Sequence, residues 1–191
     1  VDRELIPIER EVCTDNKIKP QMRELLEGKA KALGLWLYDV PQAYGGQGLG
    51  LLAKVVVWSE LGRTIALPTR NASVFGPNVS PILYYLDADQ KERYLLPVIR
   101  GEKKACFAQT EADAGGDPGS MRTTAVRDGG DYVINGTKRF ITGADEANFA
   151  QVFAVTDPEK GSRGGISGFL VDMDTPGIKL LRSQETVMDD R

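Results

Sequence analysis

The grammar of the chain changes once, at Gly101, and that change limits the folds open to it. Before Gly101, apolar residues recur at helical spacing; after it, they come in short or alternating runs between turn residues. Helices first and strands second, with little alternation, argue against a parallel βαβ sheet. They predict an α+β chain with segregated parts. The expected division is a helical domain over residues 1–103 and a small β-domain over residues 104–191.

In the first part, Met22, Leu25, Leu26, Ala30 and Leu33 mark one helix, and Gly34 offers its stop. Residues 39–50 hold a proline and four glycines and form a structured loop. Leu51–Leu61 is apolar over most of its circumference, which predicts a buried helix. Asn78 to Leu86 predicts another. Asp87 caps the next, Ala88–Ile99, with Gln90 in capping-box spacing.

In the second part, Ala105–Thr110 reads as a strand and residues 111–120 as a loop of Gly, Asp and Ala. Thr123–Arg127 alternates, and Asp128-Gly129-Gly130-Asp131 is a turn. Asn135-Gly136 between Tyr132–Ile134 and Lys138–Ile141 predicts a hairpin. Phe149–Val155, Ile166–Val171 and Ile178–Leu181 are further strands around a polar loop over Asp157–Gly165. A sheet ending near Arg191 would leave an edge unpaired, so the expectation is that the gene continues.

Composition narrows the chemistry. The 191 residues contain no histidine, which removes Ser-His-Asp and Cys-His catalysis and histidine metal sites; no metal site is expected. No Gly-rich run ends in Gly-Lys-Ser/Thr, and no carboxylate cluster has EF-hand spacing. A net charge of −3 argues against a nucleic-acid partner. No run approaches the roughly 18 apolar residues of a membrane span. The two cysteines, Cys13 and Cys106, make no disulfide framework and read as reduced thiols. The chemistry must come from a bound cofactor or from residues outside this chain.

Two segments suit a cofactor. In Gln109–Ser120, small residues let the backbone approach a ligand, successive N–H groups suit an anion, and Thr110 and Ser120 add hydroxyls. In Lys138–Gly143, alternation puts Phe140 and Thr142 on one face, an aromatic ring and a hydroxyl for a flat heteroaromatic ring. Taken singly, each also reads as a surface loop or a cross-strand pair.

Together these segments resemble the acyl-CoA dehydrogenase family. The first motif reads Phe107-Ala108-Gln109-Thr110-Glu111-Ala112-Asp113-Ala114-Gly115-Gly116-Asp117, and the second Asn135-Gly136-Thr137-Lys138-Arg139-Phe140-Ile141-Thr142. The loop Tyr44–Gly50, the helix Asp89–Pro97 with Gly101-Glu102, and the turn Asp174–Ile178 match in order and spacing. The resemblance covers nearly the whole chain.

It implies an all-α N-terminal domain and a small, truncated antiparallel β-barrel or sandwich that holds FAD, with a C-terminal helical bundle outside this chain. Phe107, Gln109 and Thr110 would line the flavin, Gly115 and Gly116 would approach the pyrophosphate or the acyl-CoA, and Phe140, Ile141 and Thr142 would lie near the isoalloxazine and its N5. Gly116 and Arg163 would contact the acyl-CoA. The implied reaction is α,β-dehydrogenation of an acyl-CoA thioester with electrons passed to an electron-transfer flavoprotein. The base would sit in the C-terminal domain, so this piece alone is expected to be inactive. Glu111 is read as holding its loop through backbone N–H groups. A homotetramer or dimer, in a bacterial cytoplasm or a mitochondrial matrix, is the implied setting. The chain departs from the family pattern with Gly116 for Ser, Ala112 for Pro and Phe140 for Trp. A flavin oxidase or two-component monooxygenase of the same fold, or a non-catalytic binding module, are the other readings.

Overall fold

The computed structural model describes residues 1–14, 17–67 and 74–184, in two compact units, residues 1–102 and 103–184. The side chain of Cys13, expected as a reduced thiol, and the chain end from residue 185 lie outside the described residues.

The first unit opens with helical turns at Ile6–Ile8 and Glu9–Val12 and a minimal antiparallel pair, β1 (Cys13–Thr14) and β2 (Lys17–Ile18). The helix Pro20–Ala32 follows, with Pro20 in its first turn and Lys29 and Lys31 in its last, where a cation complements the helix dipole. Leu26 and Ala30, one turn apart, are its buried residues. Leu26 packs in a core with Leu5, Val12, Ile18, Ala66 and Val74. Gly34 stops the chain in the left-handed region, as its position predicts.

The glycine loop folds on Val40. A Cβ on Gly46 would lie 2.0 Å from the Val40 carbonyl oxygen, so only a glycine passes there. Asp87 caps its helix as expected: Asp87 Oδ1 accepts the Gln90 N–H at 2.8 Å, and Gln90 Oε1 accepts the Asp87 N–H. Residues 88–99 are helical throughout but widen to a π-helical stretch at Lys91–Leu95, which ends two residues before Pro97, a residue with no N–H to donate.

Two helical expectations are corrected. The region from Asn78 to Leu86 holds only a 3₁₀ turn, Pro81–Tyr85, with Leu83 buried. The helix Leu51–Leu61 forms with the expected bounds but has no buried residue; Leu51, Leu52, Val55, Val56 and Trp58 are all exposed. Its apolar circumference calls for cover that the described residues do not provide.

The second unit is one five-stranded sheet: β3 (Ala105–Ala108), β4 (Thr124–Asp128), β5 (Asp131–Asn135), β6 (Phe149–Val155) and β7 (Ile166–Asp172). β6 is its spine, with β7 antiparallel along its full length and β3 parallel along its first half. β4 joins β6 in parallel at Thr124 and Val155, and β5 pairs back on β4. The sheet is thus mixed and open, where an antiparallel barrel or sandwich was expected. The cause is the long excursion over residues 109–123 between β3 and β4: it lets both strands run in the direction of β6. Tyr132 of β5 meets the ring of Phe169 of β7, centroids 5.1 Å apart, although no ladder joins these strands.

The hairpin lies elsewhere than expected. β4 and β5 turn at Gly129-Gly130, while Lys138–Ile141 is not a strand. A two-residue I′ turn needs positive φ at both central residues, and neither Asn135 nor Gly136 has it. Ile178–Leu181, also expected as a strand, is irregular.

Candidate functional site

β3 alternates, so Cys106 and Ala108 face the core and Phe107 faces outward, 48% exposed. Its ring leans on Phe153 of β6, centroids 4.8 Å apart. Burial pushes the Cys106 thiol up, which keeps it an inert core residue.

Beyond β3, the chain is held against residues 138–141. The Arg139 N–H donates to the Thr110 carbonyl at 2.8 Å, and Lys138 Nζ donates to the Gln109 carbonyl at 3.1 Å. Ile141 packs on the core cluster of Cys106, Ala108 and Ala150. Between these anchors, Phe140 takes a left-handed backbone with φ of 57°, and its ring is 62% exposed. Only one other non-glycine, Leu37, has positive φ among the described residues. The Arg139 guanidinium lies 4.4 Å from the centre of the Phe140 ring. Thr142 is exposed beside Phe140, before another left-handed residue, Gly143.

Glu111 is the buried centre of this region. Its carboxylate accepts the N–H groups of Arg122 at 2.7 Å and Thr123 at 3.0 Å, the Thr123 hydroxyl, and Lys138 Nζ at 2.7 Å. The Glu111 and Lys138 side chains are 6% and 11% exposed. Burial opposes the charge on Glu111, but the hydrogen bonds from Lys138, Thr123 and the two backbone N–H groups outweigh it and hold the carboxyl down at about 2. A carboxylate so fully engaged is a poor proton acceptor, in keeping with a loop-holding role.

The loop closes on itself as well: the Glu111 N–H donates to the Ala114 carbonyl, and Asp117 Oδ1 accepts the Gly119 N–H. Gly115 and Gly116 are exposed on this loop. A Cβ on either would meet nothing within 4 Å, and neither has positive φ. Nothing within the described chain requires a glycine at these two places.

The structure therefore gathers Gln109, Thr110, Phe140 and Ile141, with Phe107 on the adjoining strand and Thr142 next in the chain. Gly115 and Gly116 belong to the same loop. Arg163 is exposed in the turn after β6, and no hydrogen bond or ion pair joins it to these residues. No spacing links positions 111, 123 and 138, so the sequence alone does not bring Thr123 and Lys138 to Glu111. Among the described residues there is no metal-ligating cluster and no helix long and apolar enough to cross a membrane.

Residues 1–102 match the model of the acyl-CoA dehydrogenase N-terminal domain, and residues 106–189 match that of the middle domain. The chain belongs to the acyl-CoA dehydrogenase family. It is 37% identical over 188 residues to the human mitochondrial short-chain specific acyl-CoA dehydrogenase, covering 96% of this chain and 44% of that protein. It is also 37% identical over 154 residues to acryloyl-CoA reductase (NADH) of Anaerotignum propionicum, covering 80% and 39%. Glutaryl-CoA dehydrogenase from Mycobacterium smegmatis shares the fold with a TM-score of 0.70 and 30% identity over 99% of this chain and 47% of that one. The chain spans less than half the length of these relatives. FAD is the cofactor that goes with the acyl-CoA dehydrogenase family.

Proposed function

We propose that residues 105–142 hold the flavin of an acyl-CoA dehydrogenase, and that the whole protein removes the α and β hydrogens of an acyl-CoA thioester. The observation that carries this reading is Phe140: an exposed aromatic ring held on a left-handed backbone, pinned on one side by Arg139 to Thr110 and on the other by Ile141 to the core. Such a conformation costs about 1–2 kcal/mol and persists only where neighbours enforce it.

The residues present fit FAD. Phe107 and Phe140 offer two exposed rings to a flat heteroaromatic system. The Gln109 amide and the Thr110 hydroxyl have no partner among the described residues, which leaves them for a ligand's polar edge. Thr142 adds a hydroxyl beside Phe140. Gly115 and Gly116 leave room for a bulky polar group to approach the backbone, with Gly116 and the exposed Arg163 side chain as the candidate acyl-CoA contacts. When bound, FAD accepts the hydride from the β carbon. The residues of this chain orient it and exclude water; the α proton goes to a carboxylate outside residues 1–191. An electron-transfer flavoprotein as acceptor, a homotetramer or dimer as the working assembly, and a bacterial cytoplasm or mitochondrial matrix as its place complete the proposal.

A second reading is hydride transfer in the opposite sense, to an α,β-unsaturated acyl-CoA. The likeness to acryloyl-CoA reductase favours it. One experiment separates the readings: a visible spectrum of the full-length protein without oxygen, before and after a panel of saturated acyl-CoAs. Bleaching by one of them supports dehydrogenation and names the acyl class. A flavin bleached by none, but reoxidised by an enoyl-CoA after chemical reduction, supports the reverse direction. Rapid reoxidation by air alone points to an oxidase, and absence of flavin sinks the cofactor reading.

A further inference from the structure

We infer that Lys138 is a positioning residue for the flavin: it locks the Phe140–Thr142 segment to the Gln109–Glu111 loop by bridging the Gln109 carbonyl and the Glu111 carboxylate. This rests on the reading of residues 105–142 as the flavin site.

The two segments are 29 residues apart at Gln109 and Lys138 and share no strand ladder. One backbone hydrogen bond, Arg139 to Thr110, joins them directly. That bond and the packing of Ile141 on the core hold the segment at Arg139 and Ile141, and its start at Lys138 is held by the lysine side chain. Lys138 Nζ adds two more attachments, at 3.1 Å to the Gln109 carbonyl and 2.7 Å to Glu111 Oε1. Glu111 is itself fixed by Arg122 and Thr123, and the Thr123 carbonyl accepts the Val155 N–H at the end of β6. The ammonium therefore connects the segment carrying Phe140 to the sheet through a chain of buried and part-buried hydrogen bonds. Charge-assisted bonds at this depth are stronger than neutral ones. Lys138 stands only two residues before Phe140, so its anchorage fixes where that ring begins. Its ammonium is bound to the Gln109 carbonyl and the Glu111 carboxylate, so it acts through Gln109 and Phe140.

The test uses the full-length protein and FAD. Lys138→Met and Lys138→Arg are compared with wild type for far-UV circular dichroism of the apoprotein, for FAD Kd by equilibrium dialysis, and for the visible circular dichroism of the bound flavin. The expected result is an unchanged far-UV spectrum and a Kd raised about tenfold or more in Lys138→Met. The visible dichroism also changes, and Lys138→Arg recovers most of both. A Kd and visible dichroism equal to wild type in Lys138→Met overturn the inference while leaving the flavin reading intact. If wild type itself binds no FAD, both fall. If Lys138→Met does not fold, the double variant E111Q/K138M, which leaves no lone buried charge, is measured in the same way. Weakened FAD binding in a folded double variant supports the inference. Wild-type binding, or failure of the double variant to fold, assigns the pair to stability alone and overturns it.

Discussion

Gly136 passes so close to Thr123 that a Cβ on it would lie 2.2 Å from the Thr123 hydroxyl oxygen and 2.7 Å from its Cα. This approach is why a glycine stands there, against the residue whose N–H and hydroxyl donate to Glu111. Gly136→Ala is therefore expected to destabilise the full-length protein by about 1–3 kcal/mol, as overpacking of a tight contact does. Denaturant unfolding checks this; a change below about 0.5 kcal/mol would mean that the contact relaxes freely.

Gly116 gives the opposite expectation. Its Cβ position is open, so Gly116→Ser should shift stability by no more than about 0.5 kcal/mol. If acyl-CoA lies over this loop, the added hydroxyl contributes one hydrogen bond, and Kd for acyl-CoA falls a fewfold. Calorimetry on the flavin-loaded protein decides it: a stability loss above about 1 kcal/mol would show that the space is not free.

For Phe140, ring and backbone can be separated. Phe140→Ala removes the ring and keeps the left-handed strain, whereas Phe140→Gly removes both. The glycine variant should be more stable than the alanine variant by about 1 kcal/mol, while both bind FAD more weakly than wild type. Equal stabilities would contradict the strain; undiminished FAD binding in both would remove the ring from the site.

Glu111 sets an acid limit. Its folded value, about 2, lies below the ordinary 4.5. Its stabilising contribution is complete above about pH 4.5 and is lost as pH falls toward 2. Unfolding free energies of wild type and Glu111→Gln, compared at pH 7 and pH 3, should converge at the lower pH, because the other carboxylates titrate in both. The full span corresponds to roughly 3 kcal/mol. A gap that stays constant with pH would show that Glu111 is not held ionised by its partners.

What the sequence determined is what local patterns encode. The Asp87–Gln90 capping box, the Leu51–Leu61 helix, the Gly34 stop and the strands β6 and β7 follow from caps, periodicity and apolar runs within a dozen residues. The ordered motifs around Thr110 and Phe140 placed the chain in its family. The tertiary structure decided what depends on residues far apart in the chain. Asn135-Gly136 signals a turn locally, but the approach of Thr123 sets its conformation instead. The strand directions around β6 depend on where the 109–123 excursion lands, which no local pattern specifies. The bridge of Glu111, Thr123 and Lys138 exists only because three distant segments meet, and the desolvation that gives it strength belongs to that meeting and to no residue alone.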